Sequence, residues 1–268
     1  MILEDWAHIV PGYFLPNWTR WTWYEKLIQK PVGAPDLEFS YADGKPKAQI
    51  RPGSEGWIIL GWGGSISHVD SWLYSGIIEA LDRLFEKWPG ARLKFCGHEQ
   101  RINYILDRWG DRVIRQGGMK PEDWPSVVAS FDIGLAPLDM RPMPPMRDGG
   151  PVNSYDERRS WLKAAEYLTA GVPWVASRSR TYDELARWGT LVDNTPDAWF
   201  EALDEKVSFL AHEKDSAWER RRWAERHMTM EANANRYGEI FGRILAEAHV
   251  RLGARLPGIT YVAQKVAA

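Results

Sequence analysis

Short apolar runs alternate with stretches of helical period along most of the chain. The runs lie at 57–62 (WIILGW), 91–96 (ARLKFC), 112–115 (RVIR), 132–136 (DIGLA), 172–176 (VPWVA) and 190–192 (TLV). Runs that are apolar on both faces suit strands of a parallel sheet covered by helices on two sides. Between them, the stretch 71–87 sets Leu73, Ile77, Leu81 and Leu84 on one helical stripe, and Pro121 opens a helix through Val128. Thr181 and Glu184 form a capping-box pair, and Thr195 with Pro196 reads as a cap followed by a first-turn proline. The order βαβαβαβαβαβ predicts an α/β fold: a doubly wound, mainly parallel, six-stranded Rossmann-like sheet. Such sheets bind ligands at the carboxyl ends of their strands, near the topological switch point.

Two regions fall outside this alternation. Residues 30–56 are dense in Pro, Gly and charge and read as a loop or linker. Before them, Trp18, Trp21, Trp23 and Tyr24 crowd seven positions without a clear period, which predicts a short strand and turn packed onto another part of the molecule. Residues 215–252 form a charged helical stretch broken once, and 257–268 a weakly ordered tail. The expected organisation is therefore an aromatic segment and linker over 1–56, a Rossmann-like domain over 57–211, helices over 212–256 and the tail.

Composition narrows the class. The 268 residues carry 34 Lys+Arg against 36 Asp+Glu, so no general electrostatic attraction draws the chain to nucleic acid or a membrane surface. A single cysteine, Cys96, excludes an intramolecular disulfide framework and a cysteine-built zinc site, and burial is its expected state. No apolar run is long enough to span a bilayer and no signal peptide is read at the start, so the expected setting is cytoplasmic, with a peripheral place at the inner face of a membrane as a variant. The 16 Trp are core filler or stacking platforms, and their number alone does not separate the two.

Two loops carry candidate chemistry. The first predicted strand runs into GWGGSISHVDSW, where Gly63, Gly64, Ser65 and His68 precede a helix. Glycines there let the backbone approach a ligand, and free N–H groups at a helix start favour phosphate, although a tight strand-to-helix turn needs the same residues. The spacing is neither G-x-G-x-x-G nor a Walker loop, which argues against dinucleotide and ATP chemistry. The second is SYDERRSWLKAAEYLTAGVPWVAS. Arg159, Lys163 and Glu166 fall at i, i+4 and i+7 on one helical face, with Leu162, Ala165 and Leu168 toward the sheet. Two cations with an acid can hold a diphosphate and ribose hydroxyls, and the same pattern also describes a solvated face with one salt bridge.

Taken together, the glycine loop, SFDIGLAPLD after the fourth strand, the helix feeding Gly-Val-Pro, and Tyr182-Asp183-Glu184 resemble the nucleotide-sugar-binding half of a GT-B glycosyltransferase of the family 4 kind. The resemblance covers residue 57 to about 211 and is most specific over 162–177. It implies that the donor diphosphate lies over Gly63, Gly64 and Ser65, and that Glu166 binds ribose. It also implies that Asn153, Ser154 and Tyr155 meet the donor sugar and phosphates, and that Gly118 and Met119 border the base. It departs from the pattern at Arg158, where a second glutamate is usual, and in lacking an Arg and Lys pair near the first strand. His68, Lys163 and Arg159 are the catalytic candidates: the two cations neutralise the leaving diphosphate, and His68 adds a hydrogen bond or a positive charge. The resemblance implies sugar transfer from a nucleoside diphosphate sugar to the hydroxyl of a glycan, lipid or other acceptor, with retention, no required cofactor and no essential magnesium. A GT-B enzyme has two such halves, and no complete acceptor half precedes residue 57; a separate acceptor-domain polypeptide or a homodimer is the expected partner.

Other chemistry finds little support. His8, His68, His98, His212, His227 and His249 show no H-x-x-H or H-x-x-x-H spacing, and no Asp-x-Asp pair follows a strand. No Gly-x-Ser-x-Gly elbow occurs. Residues 139–150 (DMRPMPPMRDGG) form a Pro, Met and Arg loop at the carboxyl end of the fourth strand, readable as a lid or as a floppy insertion. Three functions stay open: a glycosyltransferase or its donor-binding half, a non-catalytic nucleotide-sugar-binding or partner-docking domain, and an unrelated α/β enzyme such as an epimerase or phosphatase.

Overall fold

A computed structural model describes residues 16–42, 44–64, 68–97, 100–142 and 159–252. In chain order the strands are β1 (Leu37–Ala42), β2 (Lys45–Ile50), β3 (Ile58–Gly63), β4 (Ala91–Cys96), β5 (Val113–Gln116), β6 (Ile133–Ala136), β7 (Trp174–Ser177) and β8 (Thr190–Val192). The last six form one parallel sheet in the order β5-β4-β3-β6-β7-β8. The chain winds outward from β3 to β5, then restarts beside β3 at β6 and winds the other way, so the switch point lies between β3 and β6. Register aligns the exit ends: Gly63 pairs with Cys96, and Cys96 with Gln116. The predicted doubly wound Rossmann-like sheet is the observed one.

The helices are α1 (Val69–Leu73), α2 (Ile77–Lys87), α3 (Asn103–Arg108), α4 (Trp124–Ala129), α5 (Leu162–Ala170), α6 (Pro196–Ser208), α7 (Leu210–Asp215), α8 (Ala217–His227) and α9 (Ala234–Leu252). Adjacent strand residues face opposite layers, as the period of two requires. Leu60 and Trp62 join Leu81, Leu84 and Trp199 on one side, whereas Ile59 joins Val127, Phe131, Tyr167 and Trp174 on the other. Trp62, Trp72, Trp174 and Trp199 are fully buried, so much of the tryptophan content is core.

Several local expectations are corrected. The helix foreseen over 71–87 is two helices, because Gly76 adopts φ +81°, and a Cβ there would lie 2.7 Å from Pro196 N. Glycine therefore both breaks the helix and admits the start of α6. The helix after β5 begins at Trp124 rather than Pro121: the amides of Asp123 and Trp124 both turn back to the Lys120 carbonyl, and Pro125 takes the first-turn place. The Thr181 and Glu184 capping box does not form. The segment Asp183–Trp188 is a 3-10 helix preceded by buried Tyr182, without a side-chain cap hydrogen bond. Thr195 does cap α6, accepting from Ala198 N at 3.2 Å.

The stretch expected to be a loop over 30–56 contains the antiparallel hairpin β1–β2. Periodicity concealed it because β2 is exposed throughout and Phe39 alone is buried on β1. The aromatic opening makes a single bridge, Thr19 to Thr229, and a 3-10 turn over Trp21–Trp23 instead of a strand. It packs on α5 and on the closing helices: Thr19 Oγ1 lies 2.9 Å from Thr169 Oγ1 on α5, and Arg221 of α8 donates to the carbonyls of Tyr24 and Leu27. Those helices break once between α8 and α9, as read from the sequence. Below the sheet, buried Asp132 receives Lys30 Nζ at 2.7 Å, Ile59 N at 2.7 Å and Lys214 Nζ, which ties the opening segment, the sheet and α7 together. The tail over 257–268 lies outside the described residues.

Candidate functional site

The exit ends of β3 and β4, the loop after β5 and the start of α5 enclose a cleft of about 490 Å³ at the switch point. Gly63, Gly64, His68, Gly118, Met119, Arg159, Lys163 and Glu166 all line it, so eight residues from three separate stretches of sequence meet in one place. Ser65, Asn153, Ser154 and Tyr155, and most of the loop 139–150, lie outside the described residues.

Glycine at 63 has a steric cause. A Cβ there would lie 2.2 Å from the Trp124 ring, so only glycine lets that indole reach across the end of β3. Gly64 is committed differently from the expected phosphate role, because its N–H donates to Cys96 O at 3.0 Å and continues the sheet ladder. What Gly64 offers the cleft is an open backbone surface.

Lys163 lies on the first turns of α5 and reaches back to donate to Gly63 O at 2.6 Å, with its ammonium 5.4 Å from the centre of the Trp62 ring. Arg159 precedes α5 instead of sitting on it, yet its guanidinium enters the same cleft and meets His68 Nε2 at 2.8 Å. Leu162 lines the cleft as well, while Ala165 and Leu168 are buried as predicted.

The Arg159 contact fixes the state of His68. Guanidinium has only donors, so Nε2 accepts and the imidazole proton resides on Nδ1. Burial first, then the charges of Lys163 and Arg159, push the His68 pKa down to about 3. The imidazole is thus neutral at physiological pH, and of its two foreseen roles only the hydrogen bond is available. Nδ1 is buried and, among the described residues, has no hydrogen-bond partner.

Glu166 shows the opposite shift. Desolvation pushes its carboxyl up to about 7, against the lowering effects of a Trp124 hydrogen bond and the Lys163 charge. It remains half-buried, with part of its surface facing the cleft. A carboxylate poised near neutrality beside a cation gains most from a ligand that brings hydroxyl donors. Cys96 also touches the cleft, but burial pushes its thiol up to about 12, which removes the thiolate a nucleophile needs.

Glu166 also marks a boundary. A second cleft of about 600 Å³ meets the first at Met119, Trp124, Leu162 and Glu166, and is walled beyond by Trp18, Trp23 and Tyr24. One side of Glu166 is therefore cationic and the other aromatic. Trp124 and this wall escaped sequence reading, since one indole among 16 carries no distinguishing period. The single available signal was the crowding of aromatics over 18–24.

No protein-family model and no curated protein matches the sequence significantly. Solved structures do match in fold. Sucrose-phosphate synthase from Thermosynechococcus elongatus aligns with a TM-score of 0.60 at 17% identity, over 91% of this chain and 56% of its own. A glycosyltransferase from Rickettsia africae gives 0.52 at 14% identity, over 71% and 48%. The Anabaena protein HepE, solved in complex with UDP and glucose, gives 0.50 at 14% identity, over 70% and 49%. The chain spans about half the length of these structures. The likeness shows the fold, a Rossmann-like half of the GT-B kind. Among the described residues, no helix is long and apolar enough to cross a membrane.

Proposed function

We propose that the chain is the donor-binding half of a glycosyltransferase and that its cleft holds a nucleoside diphosphate sugar. One observation carries the reading: two cations and one desolvated carboxylate line a single cleft at the switch point of a parallel sheet. Lys163 and Arg159 face the glycine-lined end and neutralise the diphosphate, the task a divalent ion performs in other sugar transferases. Glu166, oriented by Trp124, accepts the ribose hydroxyls. The base extends past Glu166 toward Met119 and the aromatic second cleft, so the charged and apolar ends of the ligand match those of the site.

In the transfer, the bond from the anomeric carbon to the diphosphate oxygen breaks and a bond to the acceptor oxygen forms. Negative charge collects on the departing diphosphate, where Lys163 and Arg159 are worth most because the cleft is partly desolvated. Neutral His68, with its proton on buried Nδ1, accepts from Arg159 through Nε2 and so orients that guanidinium. No residue is assigned as a general base; the departing oxygen takes the acceptor proton, which is compatible with retention. HepE, complexed with UDP and glucose, supports the ligand class, and the likeness to GT-B structures supports the reaction. The acceptor hydroxyl, on a glycan or lipid, would be presented by a second half, supplied by another polypeptide or a second copy of the chain.

Titration calorimetry with UDP, GDP and ADP in the presence of EDTA tests the site, with Glu166→Ala as the control. Metal-independent binding of one nucleotide that the substitution abolishes is the expected result. A second reading, nucleotide-sugar binding without transfer, draws on Arg158 standing where the resemblance expects a glutamate. Incubation of the chain with the matching nucleotide sugar, with and without a candidate acceptor half, separates the two by release of free nucleoside diphosphate.

A further inference from the structure

The β1–β2 hairpin lies outside the main sheet and contributes little to the core. Every residue of β2 is exposed, and Phe39 is the single buried residue of β1. Its hydrogen bonds nevertheless converge on one short segment. Phe39 O accepts from Gln116 Nε2 at 3.0 Å, at the end of β5. Tyr41 Oη accepts from Lys120 N at 2.8 Å and donates to Asp123 Oδ2 at 2.6 Å. The Lys120 ammonium also lies 5.8 Å from the centre of the Tyr41 ring.

These contacts fall on both sides of Gly117, Gly118 and Met119, which line the cleft. A Cβ on Gly117 or Gly118 would meet nothing within 4 Å, so the two glycines face open space, while Met119 packs against the core beside them. Glycines without packing neighbours have a wide choice of backbone conformation, and the path of the loop is then governed by where its ends are held. The hairpin is itself fixed to the interior. Buried Lys94 pairs with buried Asp36 and donates to Leu37 O at 2.9 Å, and Asp36 N donates to Ser54 Oγ at 2.8 Å. A continuous set of bonds thus runs from the core through β1 to the wall of the cleft.

We propose that the hairpin is a brace that sets the position of the 117–119 loop for the nucleotide base, and that Tyr41 is the positioning residue through which it acts. The inference rests on the donor-site reading above. Tyr41 does not line the cleft, so its effect falls on the part of the ligand nearest the loop and spares the part held by Lys163 and Arg159.

The test uses the whole chain and two probes: inorganic pyrophosphate, and whichever of UDP, GDP and ADP the parent binds most tightly. Tyr41→Phe keeps the ring and removes both hydroxyl bonds; it is expected to weaken nucleotide binding roughly fivefold, the effect of losing one or two partly exposed hydrogen bonds. Pyrophosphate affinity and melting temperature stay at the parent values. Asp123→Ala reproduces the loss, Asp123→Asn, which keeps an acceptor, restores it, and the Tyr41→Phe/Asp123→Ala double variant loses no more than either single one. Unchanged nucleotide affinity in Tyr41→Phe, or an equal loss for pyrophosphate, overturns the brace and leaves the donor site standing. A folded parent that binds none of the nucleotides overturns both.

Discussion

Two carboxylates at opposite ends of the sheet, Asp132 and Glu166, both lie near lysines, and their surroundings differ in how open they are. Asp132 sits before β6, and both its oxygens are engaged, by Lys30, Lys214 and the Ile59 amide. Glu166 sits at the exit ends of the strands, where Lys163 is turned to Gly63 O and Arg159 to His68, and desolvation raises its pKa to about 7. The same residue types build a closed joint in one place and the lining of an open cleft in the other. Burial with full pairing inside the molecule marks structure, whereas a desolvated carboxyl with a raised pKa at a cleft wall marks a binding site.

Substitution can break this contrast, and the largest effect is expected at the closed joint. Asp132→Ala leaves two ammonium groups buried without their carboxylate and should cost about 3–5 kcal/mol in chemical denaturation. The fraction that remains folded should bind nucleotide as the parent does. Glu166→Ala should reverse the pattern: a loss of about 100-fold in nucleotide affinity, from two charge-assisted hydrogen bonds, with no loss of melting temperature. If Glu166→Ala unfolds the chain as readily as Asp132→Ala, the two sites are alike and the contrast fails. Lys163→Ala should weaken nucleotide and pyrophosphate together, by roughly 30-fold for one charged contact, which separates the diphosphate end from the ribose end.

Titration sharpens the comparison. The Glu166 pKa is raised on folding, from 4.5 to about 7, so the folded chain holds more protons than the unfolded one between those values. Stability contributed by that proton is present at low pH and is lost as pH rises through about 7. Glu166→Gln should therefore melt above the parent at pH 8, by roughly 2–4 °C for each kcal/mol regained, with the gap closing toward pH 4.5. Thermal melts across that range check the sign. Ligand binding runs the other way, because the ionised carboxylate is the better acceptor: parent affinity should rise through pH 7 relative to Glu166→Gln. The smallest effect is expected at Thr195→Ala, which removes the α6 cap at about 1 kcal/mol without touching nucleotide affinity.

The sheet was legible in the sequence because its strands are apolar on both faces, a pattern that a polar loop does not imitate. Glu166 and Lys163 could be placed together from helical spacing, whereas Arg159 joined them from a turn that spacing does not describe. The β1–β2 hairpin escaped because β2 is exposed and polar throughout and the alternation of Leu37, Phe39 and Tyr41 on β1 is short and set among Pro, Gly and charged residues. Trp124 escaped for a different reason. Its importance lies in two contacts, with Gly63 and with Glu166, that exist only after β3, α4 and α5 have come together. The neutral state of His68 was hidden in the same way, since it follows first from burial in the folded cleft and then from the charges of Lys163 and Arg159, far away in sequence.

The most direct measurement is calorimetric titration of the full chain and of Glu166→Ala with UDP, GDP and ADP in EDTA, each protein first shown by thermal melting to be folded. The account predicts that the parent binds one of the three preferentially and that the variant, equally folded, does not. Absence of binding by the folded parent, or equal binding by both proteins, would contradict it.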